Sequence, residues 1–563
     1  MGDAMNALPI VYCRGYAGPT STIDTSVDDP FYGFNLGATH SRVNGDGNPR
    51  FYQFEGPMLR LISEQGYTVP VHGSQTEFLA EAAPDTLDPK SIWISRFYDA
   101  ASTTWNPDDA AHHENVFQRL ISGIHDHFTA DGFDIERAAA ELYDLVVAVI
   151  DKTEGADRVN IVAHSMGGLV ARCMMQKICP QKGKAAKDLV ARFFTYATPH
   201  GGIEFTGGVL NWAMDTFGPA GGDIFSPPKM YGYLTPGKKW GDLPPDPAAW
   251  DPRVIPADVL DVNDVFCLIG TDYKDYDATK YIVGPQSDGL VRIGNAYVKN
   301  AHRAFAYKSH SGRYGEVNSE EGYQNLQRFL FADWQVDVGL VGLAAEDPGA
   351  QDGDVAWQAD LSLAVRGLSV LITQQSAAHD NPIQLSKELA LGKGIGDSPD
   401  TPVPLVSTFL FKKEPPVDLP ATTVTAAGDS PTAADDGAPD AGILGLASMS
   451  AVETLSRYAL SLKVYQVATK ATGAFDFTDN LEQVGDWSDV LIVDVGSSAP
   501  GAPFGVWWGW NSEIAGSISA KPQMDHLLGD DGVIELPALA KALPIFGAKA
   551  QLKITVTRRS PVP

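Results

Sequence analysis

Cysteine is scarce in this chain: four in 563 residues, Cys13, Cys173, Cys179 and Cys267, with none in the last third. They are dispersed and lack zinc-site spacing, which argues against both a disulfide framework and a structural zinc site. Free, buried thiols are the expectation. Cations are also short, with 42 Lys and Arg against 70 Asp and Glu, a net charge of −28 and a pI near 4.7. Such a surface repels phosphate backbones and disfavours lasting adsorption to anionic lipid, so nucleic acid is not an expected partner. Long apolar runs are missing too. The longest helical one, Leu142 to Ile150, is interrupted by Asp144 and is too short to span a bilayer, so integral membrane association is not expected. No basic-then-apolar segment precedes the first strand, which predicts no Sec-type leader and a cytoplasmic location. Export by a signal-less route, or a trimmed leader, fits the same sequence.

What is present reads as two architectures in succession. In the first, short apolar strands alternate with helical patterns. Strands are predicted at Pro9 to Cys13, Ser91 to Phe97, Val159 to Ala163, Ala191 to Ala197, Val265 to Gly270 and Ala304 to Tyr307. Helices are predicted over about 56–65, 112–128 and 134–151, after the strand at Val159, and around Tyr323 to Leu330 with Ser319 as N-cap. In the helix over 134–151, Ile135, Ala138, Ala139, Leu142, Leu145, Val146 and Val149 form one stripe. Residues 19–50, rich in Gly, Asp, Asn and Thr, read as a long loop over a site. The alternation predicts an α/β fold with a doubly wound, mostly parallel sheet covered on both faces. After about Val336 the period changes to two, as at Leu361, Leu363, Val365 and at Tyr458, Leu460, Leu462, Val464. That predicts antiparallel strands in an all-β, sandwich-like region. The expected division is 1–335 and 336–563, with a Pro-, Ala- and Asp-rich loop at 415–445.

The most specific local signal is Val159-Asn-Ile-Val-Ala-His-Ser165-Met-Gly-Gly-Leu-Val170. A buried apolar strand ends in a serine, and two glycines and an apolar helix follow. This is the pattern of a nucleophile elbow, which exposes a hydroxyl at a strained strand-to-helix turn. A free serine is a weak nucleophile, so it needs a base and oxyanion donors. Chain order Ser, acid, His then restricts the partners. Of the histidines well after Ser165, His310 follows a strand and precedes the last helix, at the sheet edge where a base belongs. His302 precedes that strand, and His379 and His526 fall in the β-rich part. Asp288, on the tight turn Ser287-Asp-Gly-Leu-Val291, is the preferred acid, with Asp272, Asp275 and Asp277 as alternatives. The oxyanion donors are predicted as the backbone N–H of Met166 and of Tyr16, in the loop Arg14-Gly-Tyr-Ala-Gly18.

Ala-His-Ser-Met-Gly-Gly resembles the elbow of bacterial lipases and esterases of the α/β-hydrolase fold, with Ala163 standing where glycine is usual. Asp-Gly-Leu-Val resembles their triad-acid loop. Tyr196-Ala-Thr-Pro-His-Gly-Gly202 resembles the strand end that shapes their site wall, making His200 structural rather than catalytic. Where such lipases carry His-Gly, this chain has Arg14-Gly15. The resemblance covers about residues 8–332. It implies a serine carboxylic-ester hydrolase with Ser165 as nucleophile, His310 as base and Asp288 as orienting acid, needing no cofactor or metal. The long insertion 203–262, with Phe205, Trp212, Met214 and Phe217, is expected to be lid-like and to bind apolar acyl or aryl groups of a small-molecule or lipid-like ester. The same residues also serve a thioester or amide hydrolase or an acyltransferase. A binding or delivery protein acting through its β-rich part is the other reading. His112, His113, Glu114, His125, Asp126 and His127 read as a solvated helix face rather than a metal site. Trp508 and Trp510 share one face of a strand, with Trp507 on the other, and read as core. Oligomeric state has no signature.

Overall fold

The computed structural model describes residues 7–15, 38–43, 49–54, 56–70, 75–95, 128–129, 132–203, 224–242, 250–275, 283–311, 315–343, 355–385, 402–411, 455–468, 485–497, 504–513, 522–525 and 531–559. Six strands form a parallel sheet: β1 (Ile10–Cys13), β2 (Ile92–Ser95), β3 (Val159–His164), β4 (Val190–Tyr196), β5 (Val265–Gly270) and β6 (His302–Ala306). Their order is β6-β5-β4-β3-β1-β2, and every pairing is parallel. Parallel strands covered on both faces must be apolar throughout. Accordingly β1, β2, β3, β4 and β5 are buried at every position. This is the α/β-hydrolase arrangement, in which β1 lies between β2 and β3 and the chain reverses direction across the sheet. Ligands of open α/β sheets bind at the carboxyl ends of strands near such a reversal.

Among the described residues, the helices that pack on it include α1 (Gly56–Gln65), α2 (Ile135–Lys152), α3 (Met166–Cys173) and α4 (Glu320–Phe331). Asp134 caps α2 by accepting from the Arg137 N–H, and the predicted stripe from Ile135 to Val149 is buried. Ser319 caps α4, its hydroxyl accepting from the Gly322 N–H at 2.9 Å. Helix α3 is buried on all sides, as a helix following an elbow through the middle of the fold must be.

Two sequence expectations need correction. Within the expected loop 19–50, residues 38–43 and 49–50 are strand: Ala38–Val43 pairs antiparallel with Pro49–Phe54. Alternation is weak there, with Thr39, Ser41 and Arg42 masking the strand signal. The strand placed at Ala304 begins earlier, at His302, which pairs with Phe266 and is buried. A histidine reads as polar, but here its ring meets the Phe409 ring edge-on at 5.1 Å. Of the helix expected at 112–128, residues 112–127 lie outside the described residues, as does the whole segment 415–445; Phe128 begins the short strand Phe128–Thr129.

From Trp334 onward the strands are antiparallel. One sheet runs β10 (Val403–Leu410), β7 (Trp334–Leu343), β15 (Phe546–Arg558), β14 (Asp531–Glu535). The other runs β9 (Leu371–Gln375), β8 (Val355–Val365), β11 (Leu455–Ala468), β12 (Trp487–Ser497), β13 (Phe504–Trp510), then Pro522–Asp525. Inward residues of both sheets, among them Leu340, Leu361, Leu462, Leu491 and Leu552, share one apolar core. Trp510 lies in that core and Trp508 packs against it, while Trp507 is only partly buried. The Trp510 indole N–H donates to the Glu535 carbonyl at 2.8 Å. Trp508 and Trp510 are thus core packing.

Candidate active site

Strand β3 runs straight into α3, and Ser165 is the joint. Its φ of 52° and ψ of −129° are strained for a residue with a Cβ, a conformation costing about 1–3 kcal/mol that surrounding structure must hold. Part of that hold is the Ser165 N–H, which donates to the Tyr196 carbonyl of β4 at 2.8 Å. The turn is tight because α3 presses on the end of β1. A Cβ on Gly167 would stand 2.2 Å from the Cys13 carbonyl oxygen, and one on Gly15 would stand 2.8 Å from the Ser165 Cβ. The small residues after the serine are therefore required by contact with the neighbouring strand. Ser165 itself stays half-buried, so its hydroxyl is within reach from outside.

Asp288 occupies the first position of a turn that closes on itself. Its Oδ1 accepts from the Leu290 N–H at 2.9 Å and the Val291 N–H at 2.7 Å. Gly289 sits at φ 97°, where an L side chain is strained. The other carboxylate oxygen faces His310, with Nδ1 to Oδ2 at 2.9 Å. The His310 backbone N–H donates to the Asp288 carbonyl at 2.9 Å, so side chain and main chain tie the same two residues. Beyond the ring, His310 Nε2 lies 2.9 Å from Ser165 Oγ. An ionised carboxylate only accepts, so Nδ1 carries the proton and Nε2 is the acceptor for the serine hydroxyl. Asp288 and His310 are buried, at 1% and 3% exposure. His164, just before the serine, places its Nε2 3.2 Å from the His310 carbonyl and thus tethers the histidine loop to the elbow.

The structure thus brings together Ser165, His310 and Asp288, three predicted residues far apart in sequence. Met166, predicted as an oxyanion donor, opens α3 directly after the serine. Tyr16 and the pocket candidates Phe205, Trp212, Met214 and Phe217 lie outside the described residues. Of the weighed alternatives, Asp277 lies outside the described residues. His302 begins β6 at the opposite end of the sheet, near Asp337 (Nδ1 to Oδ1 3.7 Å). Asp272 is buried and accepts from the Lys274 N–H. His200 is fully buried beside Thr195 (3.2 Å), in the wall rather than the relay. Within the insertion, Ile224, Phe225, Met230, Tyr233 and Leu234 belong to the main core. Gln176 beyond α3 donates to the Leu234 carbonyl. That half of the insertion is anchored. The four thiols are free and buried. Burial pushes Cys13 and Cys179 up to about 12 and raises Cys173 and Cys267, so none offers a competing thiolate.

One residue escaped the sequence reading. Glu316 is wholly buried beside the acid turn, and neither carboxyl oxygen has a hydrogen-bond partner. Burial, with the Asp288 charge second, holds its carboxyl well above the usual range. Its segment Gly315-Glu-Val-Asn318 carries no motif. Only long-range packing makes the residue unusual.

Comparison with known proteins finds a family model that matches part of the chain and solved structures of low similarity. A family model described as "Putative serine esterase (DUF676)" matches residues 102–217, a span that contains the elbow. Among solved structures, the chain is similar to phospholipase PlaB from Legionella pneumophila in complex with thio-NAD, at 16% identity and TM-score 0.31, covering 57% of this chain and 58% of that one. It is also similar to the lin2722 gene product from Listeria innocua, at 14% identity and TM-score 0.22, covering 58% and 94%. A third is the Tle1 effector bound to the VgrG spike from the type 6 secretion system, at 11% identity and TM-score 0.22, covering 65% of each chain. The chain thus spans a little under three fifths of the PlaB structure's length.

Proposed function

We propose that this protein is a serine carboxylic-ester hydrolase working through an acyl-enzyme. The observation that carries the reading is the unbroken hydrogen-bonded run from Ser165 Oγ through His310 to Asp288, with its far oxygen held by two N–H groups. The similarity of the elbow segment to serine esterases supports it.

In this mechanism Ser165 Oγ attacks the ester carbonyl while His310 Nε2 takes its proton. The new C–O bond makes a tetrahedral oxyanion, which accepts from the N–H groups of Met166 and Tyr16. Asp288 fixes the tautomer and stabilises the imidazolium. The C–O bond to the alcohol then breaks, and the leaving oxygen takes the proton from His310. Water repeats the cycle in reverse roles and frees the acid and Ser165. Apolar acyl or aryl esters are the proposed substrates, with Phe205, Trp212, Met214 and Phe217 lining the acyl side.

The test is a rapid-mixing burst assay on p-nitrophenyl butyrate with wild type and Ser165→Ala of matched folding. A stoichiometric burst is expected in wild type alone. Equal turnover by the two proteins sinks the reading. In the same assay the octanoate is expected to outpace the acetate; the reverse order removes the apolar preference.

A further inference from the structure

We infer that Glu316 is a positioning residue for this relay: an uncharged carboxylic acid packed behind Asp288, whose neutrality leaves His310 free to accept the Ser165 proton. The inference rests on the ester-hydrolase reading of Ser165.

Its main chain is built into the histidine loop. The Glu316 N–H donates to the Ser309 carbonyl at 3.0 Å, one residue before His310. Its carbonyl accepts from the hydroxyl of Ser319, the N-cap of α4, at 2.7 Å. The side chain fills sealed space at the end of β5. The point where Gly270 would carry a Cβ lies 2.9 Å from Asp288 Cβ and 3.4 Å from Glu316 Oε1. Asp288 and Glu316 therefore both border one glycine, where a Cβ would also stand 2.6 Å from the Lys308 carbonyl oxygen.

Among the described residues, the charged groups on the elements around it offer no counter-ion. The acid turn contributes Asp288, bonded to His310. The segment after β5 contributes Asp272, another acid. The histidine loop contributes Lys308, which pairs with Glu321 of α4 at 3.5 Å. Glu320 of α4 pairs with Arg60 of α1. His164 of β3 faces the His310 carbonyl. Arg313, in the same loop, lies outside the described residues. A buried carboxylate with no partner is among the costliest groups a protein can hold, so the proton stays on.

Neutrality has a consequence for the base. With Glu316 protonated, Asp288 is the charge that faces the imidazole, and it stabilises the imidazolium when that forms. If Glu316 ionised, a second negative charge would bind a proton on His310 and remove the acceptor for Ser165. The sign follows: were Glu316 charged at pH 7, replacing it by a neutral amide would move the acid limb of activity to lower pH, whereas replacing a neutral acid leaves that limb in place.

The experiment is kcat/KM on p-nitrophenyl butyrate across about pH 5 to about pH 9, corrected for spontaneous hydrolysis, for wild type and Glu316→Gln. Gln keeps shape and neutrality. The acid limbs of the two profiles are expected to coincide. An acid limb moved to lower pH in the variant overturns the inference, because a charge has then been removed from behind the imidazole. Should the variant fail to fold by circular dichroism, infrared titration of wild type decides. A carbonyl band of a protonated carboxylic acid must be present at pH 7. Absence of that band at pH 7 overturns the inference. If Ser165→Ala keeps the burst, the ester-hydrolase reading has failed instead, and the infrared band judges the state of Glu316 separately.

Discussion

His200 carries its ring to a buried place where, among the described residues, no carboxylate meets it. It is fully buried, its Nε2 lies 3.2 Å from Thr195 Oγ1, and its carbonyl accepts from Arg172. Burial first, and the Arg172 charge second, hold its pKa well below the usual imidazole range. The sign of the resulting pH dependence is fixed. Above the unfolded value of about 6.5 both states are neutral and His200 contributes nothing. Below it the unfolded chain takes a proton that the folded chain refuses, so stability is lost as pH falls from there toward the lowered folded value. One such group is worth at most about 1.4 kcal/mol per pH unit. His200→Gln is expected to lower Tm at pH 7.5 yet to lose less Tm than wild type between about pH 6.5 and about pH 5. Parallel Tm–pH curves for the two proteins, measured by scanning fluorimetry, would assign the acid sensitivity to other groups. The resemblance of Thr198-Pro-His-Gly-Gly202 to a site wall was legible in the sequence. The missing partner was not, because Arg172 and Thr195 reach it through folding alone.

Elements were legible where their signal is local. Helix α1 spans Gly56–Gln65, as its apolar spacing predicts. The Asp134 and Ser319 caps need only neighbours within three residues. The elbow needs a strand, a serine and small residues, all contiguous. The acid turn is similar: Asp288-Gly289 reads as a turn, and the turn is what aims the carboxylate. What sequence could not give is the meeting of Ser165 with His310, separated by 145 residues. Chain order proposed that pairing and the sheet brings it about, since β3 and β6 run parallel and their carboxyl ends share one edge. Glu316 lay beyond such reasoning, because no short pattern encodes burial without a partner. The acid turn makes a prediction of its own. Gly289 at φ 97° cannot take a Cβ without strain, and the N–H groups that hold Asp288 Oδ1 follow directly after it. Gly289→Ala should lower kcat about tenfold or more with KM little changed, because it misaims the carboxylate and leaves substrate contacts alone. A rise in KM at constant kcat would instead place Gly289 against the substrate.

At the scale of the whole molecule, the parallel sheet ends in an edge, and the antiparallel region covers it. Strand β6 has β5 on one side only. On its outer side the Phe305 N–H donates to Thr373 Oγ1 of β9 at 2.9 Å. Asn325 of α4 donates to the Ile372 carbonyl at 2.7 Å. Phe409 of β10 belongs to the hydrolase core, within 6.0 Å of Phe266 and 5.3 Å of Phe329. Arg559, beyond β15, lies over the rings of Phe329 and Phe409 and donates to the Phe329 carbonyl. Near the histidine loop, Tyr307 stacks on His379 at 4.0 Å. A contact of rings, buried cations and backbone donors is that of a core, not of a tethered accessory. An uncovered edge strand would also be a template for aggregation. A chain ending at residue 333 is therefore expected to be insoluble or unfolded and to show no burst. Phe409→Ala in the full chain should cost about 3–5 kcal/mol, the usual loss for a buried aromatic, readable as a lowered urea midpoint at unchanged slope. A soluble, monomeric chain ending at 333 with the wild-type burst would show that the hydrolase fold stands alone. The antiparallel sheets would then owe their place to something other than support, such as holding the enzyme on its substrate.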